Sequence, residues 1–146
     1  MSFEPFMFAT FCDDVRQEVG NKLSYMGIYG TNLVVPSFPT TLVKLCCVFT
    51  VRIPASTPPR TVLFRLLRDD EVIFEADLSA ATAGNPALEV PPAVMDARAL
   101  TISTVAQFVS FSVTQPSTLR ARAIVDGKEL RGGGLELQAA AAAPTH

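Results

Sequence analysis

The chain has 146 residues, 49% of them hydrophobic and 18% charged, with a net charge of −2 and an isoelectric point near 5.3. A domain of roughly 150 residues buries about 68–70% of the surface its unfolded chain exposes, enough for one self-sufficient core. The arginines stand singly in strand-like segments and no apolar run reaches membrane-spanning length, so neither nucleic acid nor membrane is an expected partner.

Thr, Val, Ile and Phe are frequent and eleven prolines punctuate the chain, a pattern of many short strands. The first segment, Pro5 to Cys12, is almost wholly apolar and predicts a strand covered on both faces. It follows an acid, Glu4, where a signal peptide carries positive charge, so a cytoplasmic address is expected. Residues 13–20, "DDVRQEVG", open on a capping acid, place Val15 and Val19 four apart and end in glycine, which predicts a short helical turn joining two strands. A second strand runs from Leu23 to Gly30 and continues loosely towards Val35.

In "LVKLCCVFTVRIP", Val43, Leu45, Cys47, Phe49, Val51 and Ile53 alternate with Lys44, Cys46, Val48, Thr50 and Arg52, the pattern of a core-facing strand. Val62, Phe64 and Leu66, then Val72, Phe74, Ala76 and Leu78, alternate on either side of an Asp69-Asp70 turn, which predicts a hairpin. Residues 79–99 read as a long crossing connection with at most a short strand near Leu88–Val90. One bent strand or two short ones follow, with Val109, Phe111 and Val113 turned inward. Leu119, Ala121, Ala123 and Val125 lead into Asp126-Gly127, the dipeptide of a type I′ hairpin turn. A flexible "GGG" and a short strand over Leu135–Gln138 close a domain spanning 1–138, and 139–146 read as an alanine-rich accessory tail. The sum predicts an all-β fold: a two-layer antiparallel β-sandwich, immunoglobulin-like or a related Greek key, with the helical turn near 13–20.

Chemistry is harder to find. Asp13, Asp14 and Glu18 are hard oxygen ligands that Asp69, Asp70 and Asp77 could join at one end of the fold. Arg16 and Lys22 offset that charge, however, and the spacing matches no calcium loop. The sole histidine is His146, too remote to serve Cys12 as a base, and a Cys46-Cys47 pair with one distant histidine gives no zinc spacing. Three cysteines, two of them adjacent, make a poor disulfide framework and read as small apolar fillers. "RGGGLE" lacks the Lys-Ser/Thr of a phosphate-binding loop. No catalytic, cofactor or metal residues are assigned.

The stretch from Phe11 to Tyr29 carries Phe11, Cys12, Asp13, Asp14, Arg16, Glu18, Lys22, Ser24, Gly27 and Tyr29 in the spacing F-C-D-D-x-R-x-E-x-x-x-K-x-S-x-x-G-x-Y. It resembles a family of small uncharacterised proteins of bacteria and their phages, and the hairpin "LRARAIVDGKEL" is similar to that family's C-terminal one. The resemblance implies a phage or prophage setting and no activity. The expected function is a non-enzymatic, protein-binding or structural sandwich that contacts a protein partner or itself through Asp13, Asp14, Arg16, Glu18 and Lys22. The alternative is a small-ligand or calcium-binding sandwich using its acidic end loops.

Overall fold

In a computed structural model, which describes residues 3–79 and 99–141, the period-two segments become nine strands. They are β1 (Phe6–Glu18), β2 (Lys22–Ile28), β3 (Asn32–Val35), β4 (Thr40–Pro54), β5 (Val62–Arg68), β6 (Glu71–Asp77), β7 (Ala99–Val113), β8 (Ser117–Val125) and β9 (Lys128–Ala139). A four-stranded sheet has the order β2-β1-β4-β7, and a five-stranded sheet the order β3-β9-β8-β5-β6. Their inner faces meet in the two-layer sandwich that the alternation predicts. Every neighbouring pair is antiparallel except β3 with β9, which runs parallel at a sheet edge. The segment around Leu88–Val90, with the rest of 80–98, lies outside the described residues, as do 142–146.

The core follows the alternation where the strands run without a change of phase. Leu45, Cys47, Phe49, Val51 and Ile53 of β4 face Val62, Phe64 and Leu66 of β5 and Leu119, Ala121 and Ala123 of β8, all of them buried. Phe49 lies 5.5 Å from Phe64 and stacks on Phe74 at 5.8 Å; such pairs add about 0.5–1.5 kcal/mol each beyond area burial. The other face of β4 is buried too at Cys46, Val48 and Thr50. The Thr50 hydroxyl lies 3.1 Å from the Ser103 hydroxyl, which gives the buried oxygen its partner.

Several sequence expectations fail where a strand changes phase. Val43 and Val109, both expected inward, are 84% and 68% exposed. β4 and β7 change facing together there with their register unbroken: Thr40 and Leu42 stay paired with Val113 and Phe111, Lys44 with Val109 and Leu45 with Phe108, while the inward positions pass from Leu42 and Phe111 to Leu45 and Phe108. Ser110, at φ 57°, marks the bend, and β7 is one strand throughout. A bulge after Leu66, which pairs with Phe74 while Leu67 pairs with Val72, turns Val72 to solvent. A third irregularity lies in β9 opposite Ala121, since Arg120 pairs with Gly134 but Arg122 with Arg131.

The glycine run 132–134, expected as a flexible link, is therefore the middle of a strand. Gly133 adopts φ +94°, a left-handed conformation costing a side-chain-bearing residue about 1–2 kcal/mol. The bulge reverses the phase of β9: Leu135 and Leu137 face the core after it, whereas Leu130 faces in and Arg131 out before it. The turn between β8 and β9 is as predicted, with Asp126 and Gly127 at φ 48° and 82°. Asp126 also accepts hydrogen bonds from the Arg60 and Thr61 amides at 2.8 and 2.9 Å. At the chain's other end, the Ala140 amide donates to the Val35 carbonyl at 2.8 Å, which ties the start of the alanine run to β3.

Candidate functional site

The stretch expected as a helical turn is a β-hairpin. β1 continues as a strand to Glu18 and pairs with β2 from Cys12↔Ile28 to Glu18↔Lys22, around a Val19-Gly20-Asn21 loop. The physical reason is that a four-residue spacing suits a strand (two periods of two) as well as a helix. A segment this short cannot sustain a helix alone, whereas the strand has Leu23–Ile28 to pair with. The expectation for Pro5 to Cys12 is also corrected. Met7 and Phe11 are buried against the core, but Phe6 and Phe8 are exposed on the outer face.

β1 pairs with β4 only from Phe6 to Cys12. Beyond Cys12 its strand partner among the described residues is β2, so within that part of the chain residues 13–28 extend from the sandwich as a two-stranded arm. Four contacts lie at its root. Asp14 accepts a 2.5 Å ion pair from Lys44 Nζ and a 2.9 Å hydrogen bond from the Val15 amide. The Tyr29 hydroxyl donates to the Asp13 carboxylate, and the Cys46 thiol lies 3.9 Å from the Asp13 carbonyl. Gly27 pairs against Asp13 so closely that a Cβ there would overlap the carboxylate.

These contacts set the local ionisation. The Lys44 hydrogen bond holds Asp14 below the usual carboxylate range, and the same bond raises Lys44. Burial, then the Asp13 hydrogen bond, pushes Tyr29 up to about 12. Burial raises all three thiols, Cys12 to about 11, so none is a thiolate at neutral pH. Cys12 and Cys46 are directly opposed across β1 and β4, both free and both buried.

Of the five residues singled out in the sequence, four share a face of the arm. Asp14, Arg16 and Glu18 pair with Met26, Ser24 and Lys22 respectively. Asp13 is on the opposite face, engaged by Tyr29. Sequence reasoning missed the apolar side chains of the arm, which lie on both faces: Met26 and Ile28 beside the charges, Leu23 and Tyr25 on the other side. Val19 is 93% and Ile28 62% exposed, and Leu23, Tyr25 and Met26 are exposed beside them. "LSYMGI" is legible as a strand, but nothing local shows that neither face of it is covered by a layer among the described residues.

The acids do not converge on a metal: among the described residues no group of three or more His, Cys, Asp or Glu is placed to hold one. Asp69 accepts the Thr118 amide at 3.0 Å, and Asp77 accepts the Ser79 amide at 2.9 Å. No helix among the described residues is long and apolar enough to cross a membrane. Comparison with curated proteins and with solved structures returns no match. A family of unknown function, DUF6941, matches residues 7–138, and the chain belongs to that family.

Proposed function

We propose that the chain is a non-enzymatic protein-binding module that docks through the β1–β2 arm, and that its occupant is an extended strand added to the free edge of β2. The observation that carries this reading is the exposure of apolar side chains on an arm that no layer covers among the described residues. A two-stranded ribbon is marginal in water, and a further strand with an apolar face stabilises it. A second copy of the chain supplies such a strand in its own β2. Two arms related by a two-fold axis through Tyr25 would set Leu23 against Gly27 and Ser24 against Met26, extending the four-stranded sheet across both copies.

Light scattering after size-exclusion chromatography tests this. A dimer that Leu23→Lys or Ile28→Glu dissociates into folded monomers supports the reading; a chain that stays monomeric to about 1 mM overturns it. The calcium reading has less support, because Asp14, Asp69 and Asp77 already serve local partners. A rise in melting temperature with calcium that a chelator reverses would revive it.

The setting we propose is a phage or a prophage-bearing bacterium, with the chain a virion component or a host-interacting accessory protein of the infected cytoplasm. The spacing from Phe11 to Tyr29 supports it. A gene lying beside capsid and tail genes would strengthen this setting; one lying alone among metabolic genes would count against it.

A further inference from the structure

The arginines that stand singly in the sequence meet on the outer face of the five-stranded sheet. Arg65 of β5 is directly opposite Arg122 of β8, and Arg122 is directly opposite Arg131 of β9. Three cations therefore form one row across three adjacent strands, roughly 10 Å from first to last at the usual strand spacing. Arg120 flanks the row, and with Leu67 and Ile124 these arginines line a concavity of about 190 Å³.

Like charges directly opposed across strands are destabilising, and the acids nearby only partly relieve them. Glu75 takes Arg65 in a 2.8 Å bond. Asp70 stands 3.8 Å from Arg120. Glu129 Oε1 lies 3.7 Å from Arg122 Nε and 3.8 Å from Arg131 Nε, between two guanidinium groups and hydrogen-bonded to neither. Arg122 is the most enclosed of the four, its side chain 17% exposed. Its remaining in-range acceptor is the Ala121 carbonyl, at 2.9 Å.

We propose that this row binds a compact oxyanion, inorganic phosphate or a small phosphate monoester, held between Arg122 and Arg131 with Arg65 and Arg120 beside them. Guanidinium groups present planar forks that match phosphate oxygens, and the place Glu129 occupies is the one an anion would take between two of them. The rim argues for a small ligand. Glu75, Asp69, Asp70 and Glu129 surround the arginines, so a long polyanion leaving the concavity would run onto carboxylates. The β9 bulge at Gly133 belongs to the site, because its phase reversal is what turns Arg131 outward.

Thermal melting and amide NMR on the full chain test the proposal, with sodium phosphate or pyrophosphate at about 5 mM against chloride of equal ionic strength, low enough to avoid general salt stabilisation. Phosphate should raise the melting temperature by several degrees and shift amides of β5, β8 and β9. Arg122→Gln and the solvent-exposed Arg131→Gln should remove the rise without lowering the melting temperature in chloride, since each breaks the row of like charges. Glu129→Gln should tighten phosphate binding by removing its competitor, and Arg52→Gln, on the other sheet, should change nothing. The proposal is overturned if phosphate leaves the wild-type melting temperature unchanged, if both arginine variants keep the rise, or if Glu129→Gln weakens binding. Tighter binding of a single-stranded oligonucleotide than of pyrophosphate would overturn the compact-ligand assignment.

Discussion

The β1–β2 and β8–β9 hairpins are built alike and end up differently. Both are antiparallel, and both turn through residues with positive φ. The β8–β9 pair lies between β5 and β3 and buries Leu119, Ala121, Ala123, Leu135 and Leu137 under the opposing sheet. Among the described residues the distal β1–β2 pair has strand partners only within itself, and its apolar side chains are exposed. Neighbours, and not turn chemistry, decide whether a hairpin becomes core or arm.

The largest expected contrast comes from truncating one leucine in each. Leu119→Ala should cost about 2–5 kcal/mol in chemical denaturation, from lost transfer energy plus the cavity left behind. Leu23→Ala should stay within about 0.5 kcal/mol, as an exposed substitution does. Equal costs would break the comparison and mean that the arm is packed after all.

Two glycines sharpen it at a smaller scale. Gly133→Ala and Gly27→Ala each force a side chain into a left-handed conformation, at φ +94° and +67°, with a backbone penalty of about 1–2 kcal/mol, to which Gly27→Ala adds the overlap with the Asp13 carboxylate. In β9 that penalty should appear as lost global stability and a weakened phosphate response. In the arm it should appear only as faster hydrogen exchange over residues 13–28, because the arm can open while the sandwich stays folded.

Acid should act on the arm in the same selective way. Asp14 titrates lower in the folded state than unfolded, so the contribution of its Lys44 bond is complete above the ordinary carboxylate value. It is lost as pH falls through the depressed folded value. Protection factors of arm amides should therefore drop at low pH before those of β4 and β8, and Asp14→Asn should abolish that early loss. The smallest effect concerns the root of the arm. Cys12, Cys46 and Cys47 should alkylate slowly at pH 8 in the folded protein and readily once it is denatured, as mass spectrometry would show. Rapid native-state labelling of Cys12 or Cys46 would mean that the root opens with the arm.

The legible parts of the fold are those whose signal is local. The alternation from Leu45 to Ile53, the Val62–Leu66 run and the Asp126-Gly127 turn each carry their meaning within a few residues, and each holds in three dimensions. Val43, Val72 and Val109 depart from the alternation because a bulge, or a change of facing shared by two paired strands, reverses the inward phase beyond it, and both depend on the partner strand. Residues 13–20 were misread because Val15 and Val19 satisfy two periodicities at once, and only pairing with Leu23–Ile28 chooses between them. The charges of the candidate site are legible as residues, whereas the exposure of its apolar side chains, on both faces of the arm, is not.

By itself the sequence determined that this chain is a β protein with one core, because side-chain alternation and turn preference act between near neighbours. The tertiary structure alone decided that a hairpin stands out as an arm and that Arg65, Arg122 and Arg131 form one row. Those outcomes depend on cross-strand register, which joins residues far apart in the chain and leaves no pattern in any short stretch of it.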